Sequence, residues 1–359
     1  DVGQTKLIIL GKEKKLTFID IFGEAVTVNK PINRLVNMGF YCVDVTRILG
    51  AKDILVAVGY DRSERPIFYP EISKLPAVGS SDPNIDYEYI LSLKPDAVAT
   101  NLEARWAVAG AGLEKKRIFE EKLPGLPLIC LNMREPDVLP ENVRTYGYII
   151  DREDEAEKFI DWFEGYYNMF RARTDGLSED ERQSIYLEFH GHRYKTKGSG
   201  DRYVQAFIIA GGRNIADDIV GPDDPQYSSS FTVDPEWVVE QNPNFIFVEG
   251  LSWKYPGAYD TDDPSNYVAA RRELLDRPEL ANVNAVKYGH VYVLDAELFG
   301  GAGETVIGAA YSAKLFHPDL FADIDPQAIH QEFVEFHGLD FNVKEHGVFV
   351  YPPYEEWPV

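Results

Sequence analysis

The chain has 359 residues, 45% of them hydrophobic and 13% aromatic, enough to bury two sizeable cores and unlike a disordered composition. A formal net charge of −23 leaves no basic face for nucleic acid, and no run of about 18 apolar residues exists to cross a membrane as a helix. Two cysteines, Cys42 and Cys130, are too few for a disulfide framework or an iron–sulfur cluster and read as separate buried thiols. The chain opens at Asp1 with no initiator Met and no signal peptide, which reads as a mature or trimmed product and leaves room for a removed export signal or lipid anchor.

Residues 1–30 read as a peripheral β extension, with "KLTFIDIFGEAVTV" alternating as a hairpin that turns near Gly23 and Glu24. From residue 31 to 150 strands and helices alternate. "RLVNMG" is a strand, "YCVDVTRILGA" a helix stopping at Gly50, and "ILVAVG" a second strand. A helix from about Asp86 to Leu93 then leads through a Lys94-Pro95-Asp96 turn into a strand over 97–100. "KKRIFEEKL" is helical, "LPLICLNM" a strand and "DVLPENVRTYGYII" helical again. Residues 151–175 carry the longest helical pattern, with Ala156, Phe159, Ile160, Phe163, Tyr166, Tyr167 and Phe170 at spacings of three and four, acids at the start and arginines at the end.

A second alternation fills 176–320, and 321–359 holds a C-terminal helix and tail. "SIYLEFHGH" is a strand running into a loop. "GSGDRYVQAFIIAGG" is a loop, a helix and a glycine stop in which Gly211 or Gly212 takes positive φ. "TVDPEWVVEQNPNFIFVEG" then repeats the grammar of "NIDYEYILSLKPDAVATN" about 150 residues on: acid, short helix, Pro turn, apolar strand. Strands alternating with helices imply parallel sheets covered on both faces, so the fold class is α/β.

Six segments, in order, carry a resemblance. They are "KPINRLVNMGFYCVDVTRILGA", "VGSSDPNIDYEYILSLKPDAV", "GSGDRYVQAFIIAGGRNIADD", "VDPEWVVEQNPNFIFV", "RPELANVNAVKYGHVYVLD" and "AKLFHPDLF". Over about residues 30–335 the chain resembles the ABC-transporter solute-binding proteins for ferric siderophores, haem and cobalamin, the helical-backbone metal-receptor family. The tail after His337 lies outside the usual core of that family. The resemblance implies two Rossmann-like lobes with mostly parallel sheets, joined by one long rigid helix, here residues 151–175, with a ligand cleft between the lobes and only modest closure. It implies a non-enzymatic receptor, extracytoplasmic, either periplasmic or tethered to the outer face of the cell membrane. Such a receptor is a monomer that meets the membrane only through an anchor or the permease. It has no intrinsic cofactor and delivers its ligand to a permease dimer. In the family one surface glutamate on each lobe docks into arginine pockets of the permease, and the matching positions are Glu88 and Glu236, with Asp86 and Asp234 as neighbouring acids.

Loops at strand ends are the expected ligand-binding elements. They bring Tyr41, Tyr60, Arg62, Arg105 and Trp106 from the first half, and His190, His192, Arg193, Tyr194, Trp253 and Tyr255 from the second. Aromatic faces suit a bulky organic ligand and arginines suit carboxylate or catecholate donors, so an Fe3+ chelate of siderophore type is the first expectation. Haem or cobalamin with His190 or His192 as axial ligand, and a bare ferric ion on Tyr41, Tyr60 and Glu188, are the alternatives. No histidine precedes His190, which excludes a zinc or manganese receptor with histidines from both lobes. The enzyme reading reduces to a chelatase using His190 or His192, since no nucleophile elbow, P-loop, dinucleotide fingerprint or metalloprotease helix is present. A surface sensor or sequestration protein with the same pocket is the remaining class. "GSG" at 198–200 lacks a Walker lysine and reads as a structural loop.

Overall fold

The structure is a computed structural model that describes residues 6–8, 14–80, 84–100, 111–189, 192–224, 226–227, 229–250 and 258–357. The chain divides into two compact units. The first holds Asp1–Glu164 and Val334–Asp340, and the second Gly165–Phe333 and Phe341–Val359.

In the first unit β1 (Lys6–Ile8), β2 (Lys15–Ile19) and β3 (Ala25–Asn29) form an antiparallel sheet. Its β2–β3 turn has Gly23 at φ +78°, a conformation glycine adopts without a Cβ penalty. Then come β4 (Leu35–Asn37), α1 (Phe40–Ile48), β5 (Leu55–Val58), α2 (Tyr87–Ser92), β6 (Ala97–Thr100), α3 (Ala111–Lys122), β7 (Leu128–Cys130) and α4 (Leu139–Ile150). The four strands lie parallel in the order β5-β4-β6-β7. They are buried on both faces, as their continuous apolar runs require, with Val36, Ala57, Val98, Leu128 and Cys130 in one core.

The 22-residue helix α5 (Glu153–Thr174) contains the boundary between the units. It begins after Asp151, which sits at φ +57° and ends α4. Its apolar stripe is buried throughout, from Ala156 to Phe170.

The second unit runs β8 (Gln183–Glu188), β9 (Lys195–Lys197), α6 (Arg202–Ile209), β10 (Gly212–Asn214), β11 (Ser230–Thr232), α7 (Pro235–Gln241), β12 (Phe245–Gly250), α8 (Ser265–Leu275), α9 (Asn284–Lys287) and β13 (Val291–Asp295). After these come α10 (Glu304–Phe316), α11 (Pro326–Phe336) and β14 (Val350–Tyr351). Its main sheet has the order β10-β8-β12-β13-β14, parallel except for β14. β9 and β11 make a separate antiparallel pair. Phe207 stacks on Phe247 at 4.5 Å and Phe245 on His290 at 4.7 Å, so aromatic rings fill one face of this sheet.

The repeated clause occupies the same place in both units. β6 and β12 are each the third strand of their α/β series and each returns across the first strand. Asp86 and Asp234 cap the preceding helices, accepting from the backbone N–H of Tyr89 at 2.9 Å and of Glu236 at 2.8 Å. Lys94 and Asn242 both end those helices in the left-handed region, at φ +49° and +46°. Each pair is separated by the same offset, 234 minus 86, or 148 positions.

The tail, which lies outside the usual core of the resembled family, belongs from Phe341 on to the second unit here. β14 pairs antiparallel with β13, and the Trp357 ring packs edge-on to Tyr292 at 5.4 Å. Cys42 and Cys130 are free, buried thiols, as expected. Gly211 takes the positive φ, +90°, that stops α6, and a Cβ there would lie 2.6 Å from His317 Nε2.

Candidate functional site

In a doubly wound sheet the crevice forms where successive crossovers leave in opposite directions, beyond the carboxyl ends of the strands. In the first unit that point lies between β4 and β6. Beside it, at the same strand ends, the exits of β4 and β5 are drawn together. The N–H of Gly59 donates to Asn37 O at 3.0 Å, and a Cβ on Gly59 would lie 2.6 Å from Met38 O, so the close approach requires glycine.

α1 starts at Phe40, directly after β4. Its spacing sets Phe40, Asp44 and Arg47 on one face, at i, i+4 and i+7. The segment leaving β5 turns so that Arg62, Arg65, Phe68 and Tyr69 come together, with the N–H of Arg65 on Arg62 O and that of Tyr69 on Arg65 O, both at 2.9 Å. The result is a cluster of cations and rings. The Arg62 guanidinium lies 3.9 Å from the Phe40 ring centre, 4.7 Å from that of Tyr69 and 5.7 Å from that of Tyr60. Arg47 lies over Phe68 and Tyr69 and donates to Phe68 O at 2.6 Å. Arg65 approaches both of those rings, at 5.7 Å and 5.6 Å.

Arg62 is only 6% exposed, and its Nη2 has no hydrogen-bond partner among the described residues. The Asp44 carboxylate is set among these three guanidinium groups. Burial pushes its pKa up, against the pull of the neighbouring Arg62 and Arg47 charges. Tyr69 OH donates to its Oδ1 at 2.9 Å, and burial in turn holds that phenol well above its ordinary range. Arg47, Arg62 and Arg65 thus gather guanidinium groups around one buried carboxylate in a chain that is strongly negative overall.

Of the residues expected to bind ligand, Tyr41, Tyr60 and Arg62 come together here. Tyr41 is buried within α1 rather than carried on a loop, its ring edge-on to Phe40 at 5.1 Å. Tyr60 is 43% exposed and also meets Phe40, at 5.6 Å. The composition of the loops points to Arg62 but misses Asp44, Arg47, Arg65 and Tyr69. The signal is present in the chain: α1 carries an acid and an arginine on the face of Phe40, and "DRSERPIFY" spaces its arginines by three.

Arg105, Trp106, His190, Trp253 and Tyr255 lie outside the described residues. His192 is exposed. Arg193 and Tyr194 belong to a network inside the second unit. Arg193 pairs with Glu273, and Tyr194, at φ +58°, donates through its hydroxyl to Glu279 at 2.5 Å. Glu188, the carboxylate considered for a bare ferric ion, is held by Arg277 through both oxygens and accepts from the Tyr194 N–H at 3.1 Å. Among the described residues no group of three His, Cys, Asp or Glu side chains is placed to hold a metal ion. The amides of the "GSG" segment are committed internally, Ser199 to Asp217 at 2.9 Å and Gly200 to Tyr227 O at 3.1 Å, so it is a structural loop.

Glu88 and Glu236 are the second residues of α2 and α7, exposed or nearly so, and without ion pairs among the described residues. Asp86 and Asp234 use their carboxylates for capping, which leaves the two glutamates as the outward acids of the repeated clause.

A family model described as periplasmic binding protein matches residues 43–298. The ABC transporter substrate-binding lipoprotein YvrC of Bacillus subtilis (strain 168), itself described as uncharacterized, is 22% identical over 312 residues, 86% of this chain and 87% of its own. Among solved structures, the TroA-like periplasmic binding protein FepB of Veillonella parvula is similar in fold, with a TM-score of 0.73 and 19% identity over 93% of this chain and 98% of its own. The molybdate periplasmic binding protein MolA of Haemophilus influenzae, bound to molybdate, gives a TM-score of 0.70 and 17% identity over 90% and 98%. Members of this family are transport receptors rather than enzymes, and they work with permease and ATPase components. The chain belongs to the periplasmic binding protein family and is an extracytoplasmic substrate-binding protein of an ABC importer.

Proposed function

We propose that this receptor captures an anionic metal chelate, a ferric siderophore-like chelate first, and hands it unchanged to its importer. The observation that carries the reading is Arg62: a buried guanidinium framed by Phe40, Tyr60 and Tyr69, with a donor left over, at the crevice end of a parallel sheet. Aromatic faces take up the organic shell of a chelate, and the Arg62 guanidinium takes up its charge. MolA, of similar fold, is bound to molybdate, which accords with an anionic ligand. A bare ferric ion is less well served, because Glu188 is already bound to Arg277. A ligand that brings its own chelating atoms asks nothing of protein metal ligands. On this reading the metal leaves in the chelate in which it arrived. Glu88 and Glu236 are the groups proposed to meet the permease.

Fluorescence titration of the purified protein with a ferric catecholate, a ferric hydroxamate, ferric citrate, haem and cobalamin tests this. Saturable quenching by a ferric chelate but not by its metal-free form is the expected result, with Arg62→Ala weakening it by about tenfold or more, as loss of a charge-assisted hydrogen bond requires. A response to none of the panel, or one indifferent to Arg62→Ala, overturns it.

A further inference from the structure

A site built only to attract anions has no use for a buried carboxylate, yet Asp44 stands among Arg47, Arg62 and Arg65 at 1% exposure. Its Oδ1 is taken by Tyr69, while its Oδ2 is buried and has no hydrogen-bond partner among the described residues. Arg62, the cation with the largest influence on Asp44, is in the complementary condition, with Nη2 buried and unpartnered among the described residues. A buried acceptor and a buried donor thus stand unsatisfied in one cluster. Such atoms destabilise the fold until something pairs them.

The chemistry of whatever completes this pair is constrained. It must present an acceptor to Arg62 and, beside it, a donor to Asp44. We propose that Asp44 and Arg62 form a subsite that selects anions still carrying an O–H or N–H donor, such as a monohydrogen oxyanion or a hydroxy acid group of a chelator, and rejects anions that have none. Against an ionised Asp44, an anion without a proton would set one of its oxygens against Oδ2, two acceptors with nothing between them. Sites that bury polar groups in this way strongly reject the analogue lacking the matching hydrogen. Phe40 is half-buried and Tyr60 exposed, so the rings that cover Arg62 also reach the surface from which a ligand comes. This inference rests on the ligand-binding reading of the cluster and adds the class of group it recognises.

Hydrogen phosphate and sulfate are suitable probes because they share shape and double charge near neutral pH and differ by one proton. Calorimetric titration at fixed ionic strength should show the unmodified protein binding phosphate about tenfold or more tightly than sulfate. Arsenate should follow phosphate, and molybdate should follow sulfate. Asp44→Asn, whose amide can donate, should bring the phosphate-to-sulfate ratio close to one, mainly by admitting sulfate, and Arg62→Gln should weaken both. Equal affinities in the unmodified protein overturn the inference, as does a ratio unaltered in folded Asp44→Asn. If Asp44→Asn does not fold, the four-anion series on the unmodified protein decides alone. Failure of all four anions while a ferric chelate still titrates overturns the subsite and leaves the receptor reading standing. Failure of anions and chelates together removes both.

Discussion

Arg277 closes on Glu188 through two hydrogen bonds of 2.7 Å, Nη1 to Oε2 and Nη2 to Oε1, with the two side chains 2% and 1% exposed. The pair sits where β8 ends, and Arg277 also bonds Glu273 at 2.5 Å. Removing one partner of such a pair leaves a buried charge without compensation, which costs more than the intact pair contributes. Arg277→Ala should therefore destabilise the second unit by about 3–5 kcal/mol. The double replacement Arg277→Met with Glu188→Leu should recover most of that loss. Urea denaturation of both variants against the unmodified protein checks the two statements.

Lys116 holds the N-terminal hairpin to α3 in the same manner. Its ammonium lies 2.7 Å from Asp20 Oδ2 and 2.5 Å from Glu24 Oε2, and Asp20 is fully buried. Oδ1 of Asp20 accepts from the N–H groups of Phe22 and Glu24 and so shapes the turn between β2 and β3. Lys116→Met strands the Asp20 carboxylate and should cost about 3 kcal/mol. Hydrogen exchange should show reduced protection first at Phe22 and Glu24, whose amides depend on Asp20.

Much of this architecture was legible from spacing. The hairpin, the alternation, the long helix and the twofold clause are all carried by local patterns, because apolar periodicity and glycine or Pro punctuation act within a few residues. The tail was not legible. Val350 pairs with Leu294, 56 positions earlier (350 minus 294), and no local pattern announces a partner so distant. The candidate site was half legible. Arg62 and Tyr60 stood out as loop residues of telling chemistry. Asp44 and Arg47 were hidden inside a helix whose inward polar face looks, in sequence, like ordinary helix composition. Burial separates the two cases, and burial is a property of the folded chain.

Acid should weaken both units through two buried histidines. His330 is fully buried, bonded through Nε2 to Tyr259 OH at 2.7 Å, and burial pushes its pKa down to about 3. His337 lies near Arg47, and burial first, then that charge, hold it well below the ordinary range. Both imidazoles are neutral when folded, while the unfolded chain protonates them near pH ~6.5. The unfolded state then binds more protons, so stability is full above that pH and declines as pH falls from there toward about 3. Each histidine contributes a slope of about 1.4 kcal/mol per pH unit below that point. Denaturation midpoints at about pH 7.5, 6.5, 5.5 and 5.0 should be nearly level between the first two and fall thereafter, with His330→Gln shallower than the unmodified protein.

Glu88 and Glu236 offer a test that separates delivery from capture. Both stand on the first turn of a short helix whose N-cap carboxylate is already committed, and both lack an ion pair among the described residues. Acids at such surface positions contribute little to stability, so their replacement should leave the fold intact, with a change within about 0.5 kcal/mol. Docking into arginines is another matter, since removing a charge-assisted carboxylate hydrogen bond from an interface costs on the order of 1.5–3 kcal/mol. Single Glu88→Ala and Glu236→Ala replacements should each weaken binding to the reconstituted permease by about tenfold or more. The double variant should abolish ligand-stimulated ATP hydrolysis by the transporter. Ligand affinity of the isolated receptor should stay unaltered in all three. Unchanged transporter stimulation by the double variant would remove these two residues from the docking surface. Reduced ligand affinity in parallel would return them to a structural role.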